Sequence, residues 1–366
     1  MDTQKIKAKI TAARRLVENC ISPMEMGLWA SRGRYANQLW TRDFALAGAP
    51  ALALLGRHDV IRAHIQQLIK RQGEDGKIPI LFLDDEKAFL RDKITRSIEQ
   101  GKMSFVLKRY LEDSVENLSP WTRDSEFLFV LACGEFDWEN SWPLALGECC
   151  EKAIGYVLRH QSGAAGLVLG ADWRDTRTDL LNDILLSNNC LWYRALSLQR
   201  IDGMARDVRQ QINEWFWTGS GYRDHLGTNT ADTFGQALGV LYDIFPQSRY
   251  SAVLDSFAKF DTPMGYLSND CRPNPVTPEE KVLLESDRMK QSFVVWPFIH
   301  GYAIIALLKM GERGLAEKAF QKYTDHDGFY EWYDPETGKG YGAAEQLWSA
   351  ALYLRAAHAF GYNVKK

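Results

Sequence analysis

The sequence of 366 residues predicts an all-α protein in which about six helical hairpins close around an axis. Apolar residues recur at helical spacing in about a dozen segments, whereas strand-like alternation is best seen only at 78–82. Glycines follow several of these segments, as at Gly56, Gly311 and Gly361, where a left-handed residue ends a helix.

Short turns and long loops alternate between the predicted helices. The helices are expected at 3–20, 43–56, 58–72, 88–112, 123–134, 143–160, 178–198, 203–217, 231–243, 248–259, 292–310, 313–323 and 345–360. In an (α/α)6 barrel, the long loops would lie together at one end and form a site there. An open α-solenoid is the alternative, but no period of about 34 to 45 residues repeats with a fixed signature. We expect a single domain covering 1–366.

The composition excludes several classes of protein. A net charge of −3 offers no basic field for nucleic acid, and no apolar run approaches the ~18 residues of a membrane span. The first 20 residues read as a charged amphipathic helix, and the six cysteines form no C-x-x-C pair. We therefore expect a cytoplasmic protein with reduced cysteines that do not form a structural zinc site. A homo-oligomer is compatible with this composition.

Two loops contain acids suited to catalysis. In 170–179, three acids and two arginines surround Trp173; burial against an indole raises a carboxyl pKa and arginines lower it. Asp175 is our candidate general acid, and Asp172 is the alternative. In the second loop, Glu331 lies between aromatic residues that could pack on sugar rings, and a turn signal follows it. Glu331 is the candidate base, unless it is a solvated acid on a surface loop.

A short Trp-Arg-Asp pattern occurs three times before predicted helices. It reads WTRD at 40–43 and 121–124, and WRD at 173–175. An aspartate at such a place can cap the free N–H groups of a helix, which is the structural interpretation of each of them. The tryptophan also offers a stacking face, and the arginine a fork of donors that can hold the aspartate.

These elements resemble the (α/α)6-barrel inverting glycoside hydrolases, a group that includes processing α-glucosidase I, trehalase, neutral invertase and the glucosidase domain of glycogen-debranching enzyme. Residues 39–44 (LWTRDF) are similar to the element whose Asp binds the sugar in the −1 subsite, and 170–175 (GADWRD) resemble the acid motif. Residues 295–297 (VWP) resemble a Trp-Pro element of the pocket. The most specific match is 331–338 (EWYDPETG), similar to the element whose Glu is the base, with Trp348 on the helix that follows.

The resemblance implies an inverting exo-glycoside hydrolase for a small glucoside, without a metal or an organic cofactor. The sequence departs from the group in that we expect only the catalytic barrel, without the β-sandwich that many members carry. Asp175 would be the acid and Glu331 the base. The implied substrate-binding residues are Trp40, Arg42, Asp43, Trp121, Arg123, Asp124, Asp172, Trp173, Arg177, Asn189, Trp296, His300, Tyr333 and Trp348. For His300 and Asn189, a structural role in the core or a loop is the alternative. A neutral-invertase-like sucrose hydrolase, a phosphorylase and a non-catalytic carbohydrate-binding barrel are alternatives for the whole chain.

Overall fold

The fold is a double ring of helices. The computed structural model describes residues 2–119, 121–135, 145–175, 177–269 and 293–365. The described strands are short and form only two-stranded pairs, so the predicted all-α class is confirmed. The predicted helix starts at 143 and 292, and Cys271, lie outside the described residues.

Six of the described helices form the inner ring. They are the helix that begins at Thr41 and continues through Ala49–Leu55, Ser125–Gly134, Leu186–Leu198, Thr233–Leu241, Pro297–Lys309 and Leu347–Ala359. Each packs against the next, and the last packs against the first, which closes the ring. These helices are apolar on nearly all faces, as expected for helices without a solvent side.

The outer ring, by contrast, is built from amphipathic helices. Its described members are Thr3–Asn19, His58–Lys70, Ala145–His160, Asp202–Trp215, Tyr250–Phe260 and Arg313–Asp325. Thr3–Asn19 buries Ile6, Ile10, Ala13 and Val17 at helical spacing and packs on the last inner helix. The alternation of inner and outer helices confirms the (α/α)6 barrel.

The first inner helix contains an irregular turn that ties the ring together. The α-helical turn Thr41–Asp43 passes into a π-helical segment, Phe44–Gly48, before the regular helix Ala49–Leu55. Pro50 has no N–H to donate to the Leu46 carbonyl, so that oxygen is free for other partners. It accepts from the Tyr302 hydroxyl at 2.7 Å and from Arg355 at 3.2 Å, which lie on two other inner helices.

Three predicted elements differ in detail from the observed ones. The single helix expected at 88–112 is two helices, Glu86–Glu99 and Phe105–Glu112, separated by Gly101 with a left-handed φ of 63°. The helix expected from 178 begins only at Leu186. The strand expected at 78–82 is Leu81–Leu83, which pairs antiparallel with Gln38–Trp40. Among the described residues, no helix has the length and apolar character that crossing a bilayer requires.

Candidate active site

The long loops meet at the end of the barrel where the inner helices begin. The loop before Leu347 contains a small hairpin, in which Trp332–Tyr333 pairs with Gly340–Tyr341. Its turn forms as the sequence indicates, because Asp334 Oδ1 accepts from the main-chain N–H groups of Glu336 and Thr337 at 3.0 and 2.8 Å. This hairpin fixes the position of Glu331 at its base.

Glu331 is a buried and restrained carboxylate. The residue is 4% exposed. Oε1 accepts from the Tyr35 hydroxyl at 2.9 Å, and Oε2 accepts from the main-chain N–H of Ala343 at 3.0 Å. A guanidinium nitrogen of Arg34 lies 3.9 Å from Oε2. The interpretation of Glu331 as a solvated acid on a surface loop is therefore wrong.

Gly342 makes room for this carboxylate. A Cβ atom at Gly342 would lie 2.2 Å from Glu331 Oε2, and the residue has a left-handed φ of 75°. Both the space and the backbone conformation therefore require glycine at this position.

Asp43 lies in the same group of acids. It sits in the first turn of its helix, is 5% exposed, and accepts a hydrogen bond from Gln346 Nε2 at 2.9 Å. Burial raises the pKa of the Asp43 carboxyl to about 8, against the effect of Arg42, and the negative charges of Glu331 and Asp175 add to the rise. Asp43 is a buried acid near two other carboxylates, not a helix cap.

Asp175 is half-buried. Its negative charge, like that of Glu331, affects the pKa values of Tyr35 and Asp43. Burial raises the pKa of the Tyr35 hydroxyl well above its usual range, the Arg34 charge opposes this, and the charges of both Glu331 and Asp175 add to the rise. The main-chain oxygen of Asp175 accepts from Trp121 Nε1 at 2.7 Å. The structure thus brings the two candidate catalytic acids to one place, around Tyr35 and Asp43.

Two of the three Trp-Arg-Asp elements, 40–43 and 121–124, are joined by an ion pair. Arg42 donates two hydrogen bonds to Asp124, at 2.6 and 3.0 Å, and both side chains are buried. Burial would lower the pKa of the Arg42 guanidinium, but Asp124 raises it above its usual value. Asp124 occupies the cap position of Ser125–Gly134 without a side-chain cap bond. Asp124 therefore does not cap the helix, and its carboxylate instead pairs with Arg42.

The rival acid, Asp172, is fully engaged inside the protein. It is 1% exposed and pairs with Arg174, whose guanidinium also binds Asp224 through two hydrogen bonds at 2.7 and 3.0 Å. The second oxygen of Asp172 accepts from Arg174 and from the Ser187 hydroxyl. This buried network holds the loop from which Asp175 projects.

Aromatic side chains gather at the starts of the last inner helices. Phe298 stacks on Trp348 at 4.4 Å, and Trp296 meets Trp173 and Trp348 edge to face at 5.2 and 5.4 Å. The Nε1–H groups of all three tryptophans are buried and find no hydrogen-bond partner among the described residues. Since an unpaired buried N–H is costly, these donors indicate a place for a polar ligand or water.

Four other candidates make hydrogen bonds to other groups of the protein, although Arg177 Nη1 finds no partner among the described residues. His300 accepts from the Tyr266 N–H at 3.2 Å and its other ring nitrogen lies 3.0 Å from the Ala319 oxygen. Burial lowers the pKa of His300 to about 3, so the core interpretation accounts for both ring nitrogens. Asn189 bonds the Val168 and Leu185 main chain, the Tyr333 hydroxyl donates to the Asp327 oxygen, and Arg177 pairs with Asp179.

The remaining candidates lie at the edge of the site. Trp40 donates to Gln38 Oε1 at 3.3 Å and meets the Tyr35 ring edge to face at 6.2 Å. Trp121 contacts Asp175 as described above, whereas Arg123 donates to the main-chain oxygen of His160 on an outer helix. Among the described residues, no group of three or more His, Cys, Asp and Glu side chains could hold a metal ion.

Sequence reasoning missed three residues that contact the acids. Arg34 and Tyr35 lie beside Glu331, and Gln346 donates to Asp43. No local pattern marks them, because Tyr35 and Glu331 are 296 residues apart in the chain. The position of Gln346 directly before the Trp348 helix is the one available signal.

A barrel of paired helices with its loops gathered at one end is the fold of a class of solved glycosidases. The chain is similar to a glycosidase in complex with glucose, with a TM-score of 0.67 and 12% identity over 99% of both chains. It is also similar to the GH63 mannosylglycerate hydrolase from Thermus thermophilus in complex with Tris and D-glycerate (TM-score 0.63, 14% identity, 94% of this chain and 99% of that one).

A third similar structure is the rhamnosidase from Klebsiella oxytoca with rhamnose bound, with a TM-score of 0.64 and 15% identity over 99% of this chain and 65% of that one. No family model and no curated protein matches the chain. At identities this low, the likeness establishes the fold.

Proposed function

We propose that this protein is an inverting glycoside hydrolase that removes one sugar from a small glucoside. The observation that carries the proposal is the restrained carboxylate of Glu331, placed with Asp175 around Tyr35 and Asp43. The solved structures with this fold that are named above are glycosidases, which supports hydrolysis of a glycosidic bond as the reaction.

In the proposed reaction, Glu331 accepts a proton from a water that attacks the anomeric carbon. Asp175 donates a proton to the glycosidic oxygen on the opposite face, and the bond between that oxygen and the anomeric carbon breaks. Inverting enzymes hold the two carboxyl groups ~6.5–9.5 Å apart, which leaves room for the water. The hydrogen bonds from the Tyr35 hydroxyl and the Ala343 N–H hold the Glu331 carboxyl group in one position, as a base that directs a water requires.

The choice of Asp175 over Asp172 follows from their surroundings. Both oxygens of Asp172 accept hydrogen bonds from Arg174, and one also accepts from Ser187. Asp172 is therefore buried, at 1% exposed, and engaged in the network that holds the loop, whereas a general acid has to meet the glycosidic oxygen. Asp175 is half-buried and close enough to influence the other acids, as an acid at the mouth of the site would be.

The sugar itself would bind beside the cluster of Trp173, Trp296 and Trp348. Trp173, Trp296 and Trp348 are buried and pack against one another. Their ring N–H groups lack partners in the described part of the chain, so a sugar bound beside them would meet these donors. Asp43, with its raised pKa, can both donate to and accept from sugar hydroxyls. The roles of Trp40, Arg42, Trp121, Arg123 and the other predicted contacts remain part of this proposal.

A hydrolysis screen tests the proposal. The purified protein is incubated with sucrose, trehalose, isomaltose, maltose, kojibiose, nigerose and glucosylglycerate, extended to mannosylglycerate and an α-rhamnoside because of the related structures. Release of a monosaccharide from one of them supports the proposal, and release from sucrose alone would select the invertase-like alternative. Absence of hydrolysis, together with a sugar that raises the melting temperature, would contradict it in favour of a carbohydrate-binding barrel.

A further inference from the structure

One helical hairpin lies outside the two rings of the barrel. The helices Glu86–Glu99 and Phe105–Glu112 contact each other and follow the strand Leu81–Leu83. We call residues 86–112 the inserted hairpin. The inner ring closes without the inserted hairpin, so the hairpin is not needed to complete the barrel.

The inserted hairpin holds the main chain beside Tyr35. Lys93 Nζ donates to the Arg34 oxygen at 3.1 Å, and Arg96 donates to the Gly33 oxygen at 3.2 Å. Asp92 lies between these two cations, at 3.2 and 2.8 Å. Two positively charged side chains thus hold the main chain of Gly33 and Arg34, and the next residue, Tyr35, donates to Glu331.

Lys93 is an unusual residue for a surface hairpin, since only 6% of it is exposed. Burial lowers the pKa of its ammonium, and the Asp92 charge opposes this. Burying a charge is costly, and the hydrogen bond to the Arg34 oxygen is one of the contacts that compensate for it. Such an arrangement favours one fixed position of residues 33–35 over many loose ones.

The ring of Tyr35 packs in a small core that the inserted hairpin completes. This second core is separate from the core of the barrel. Its buried members are Ala30, Trp40, Ile80, Leu81, Phe89, Val115 and Leu118, with Tyr35, Leu83, Leu90 and Tyr110 packed against them. Phe89, Leu90 and Tyr110 come from the hairpin, so its docking and the position of Tyr35 depend on each other.

The same hairpin also contacts Trp121, a neighbour of Asp175. The Arg109 guanidinium lies 5.5 Å from the centre of the Trp121 ring, within the range of a cation–π contact. Trp121 Nε1 donates to the Asp175 oxygen at 2.7 Å. One element therefore contacts both the neighbour of the base and the neighbour of the acid.

We infer that the inserted hairpin is a clamp that sets the positions of Glu331 and Asp175 relative to each other, with Lys93 as a positioning residue that acts through Tyr35. This inference rests on the proposed function for its catalytic consequence. The effect of the hairpin on the position of residues 33–35 does not depend on that function, and it can be tested without measuring turnover.

The catalytic test is a double-mutant cycle. Lys93→Met should lower kcat about tenfold and leave KM within about twofold, because a misplaced base affects the transition state more than sugar binding. Lys93→Arg, which keeps a donor for the Arg34 oxygen, should restore most of the rate. In a Tyr35→Phe background, Lys93→Met should cost less than about twofold, since residues that act as a unit are not additive.

Lys87→Met is the matched control, because Lys87 is an exposed lysine on the same helix. An equal loss of kcat in this control, or a full tenfold loss from Lys93→Met in the Tyr35→Phe background, would overturn the inference. Melting temperatures of all variants separate loss of folding from loss of positioning.

The second test does not need a substrate. Hydrogen exchange followed by mass spectrometry should show faster exchange of the peptide containing residues 31–37 in Lys93→Met than in wild type, and no change in Lys87→Met. Unchanged exchange in Lys93→Met would overturn the clamp, whatever the activity. If the wild type hydrolyses no sugar but exchange rises as expected, the proposed function fails and the clamp stands.

Discussion

The loops that contain Glu331 and Asp175 stabilise their acids in different ways. Glu331 is buried at the base of a β-hairpin, and both of its oxygens receive hydrogen bonds directly. The Asp175 loop is held through other groups: the buried Asp172–Arg174–Asp224 network, and the main-chain oxygen that Trp121 contacts. Glu331 is thus restrained through its own oxygens, whereas the loop of Asp175 is held in place through neighbouring residues.

The largest expected effect comes from removing the base. Glu331→Gln should lower kcat by a factor on the order of 10³ or more while sugar binding remains, because the amide cannot accept a proton from water. Steady-state rates and calorimetric titration with the substrate of the wild type measure the two effects. Glu336→Gln, an exposed acid in the turn of the same hairpin, is the control and should keep full activity. A rate within a few-fold of wild type for Glu331→Gln contradicts the assignment.

Replacing Asp175 and Asp172, the two candidate acids, sharpens the comparison. Asp175→Asn should lower kcat strongly with little change in stability. Asp172→Asn should instead destabilise the fold, by about 3 kcal/mol, because it leaves the buried Arg174 with an incomplete partner. Kinetics and urea unfolding of both variants give the answer. Equal kinetic losses at unchanged stability would mean that the acid has been misassigned.

Filling the space beside Glu331 should disturb the base without removing it. Gly342→Ala places a Cβ atom 2.2 Å from Glu331 Oε2 and forces a left-handed φ of 75° on alanine. We expect about 1–2 kcal/mol of destabilisation and a lower kcat. Gly314→Ala is a matched control, because a Cβ there meets no atom within 4 Å. Unaltered kinetics in Gly342→Ala would show that Glu331 is not held as described.

The last prediction concerns the pH dependence of stability and does not involve catalysis. The pKa of Asp43 is about 8 in the folded protein and near 4 in the unfolded chain, so between these values only the folded state keeps the proton. Asp43 therefore favours folding at low pH, and this contribution falls by about 1.4 kcal/mol per pH unit as the pH rises towards 8. Urea unfolding at pH 5 and pH 8 should show wild type losing stability relative to Asp43→Asn. A constant difference between the two proteins would exclude the raised pKa.

Local signals predict the helices and one loop well. Apolar periodicity locates the rings, and the Asp-Pro-Glu-Thr-Gly turn forms as expected because its hydrogen bonds join neighbouring residues. Hydrogen-bond partners that are far apart in the chain cannot be predicted from the sequence alone. Its position before a helix makes Asp124 a candidate cap, but a distant arginine, Arg42, binds it instead. Tyr35 is missed for the same reason, since only the closed barrel brings it to Glu331.

The inserted hairpin shows another limit of sequence reasoning. A continuous amphipathic pattern predicts one helix over 88–112, although the chain turns back at Gly101. The buried Lys93 looks like any surface lysine, because its partner is a main-chain oxygen, which leaves no trace in a sequence.

The most direct test of the account is the configuration of the first product. Proton NMR during early hydrolysis, before mutarotation, reports which anomer the enzyme releases from the substrate that the screen identifies. An attack by water activated by Glu331, opposite a proton donated by Asp175, predicts inversion at the anomeric carbon. Release of the retained anomer would mean that a carboxylate attacks the sugar directly, and it would contradict the assignment of Glu331 as a base acting through water.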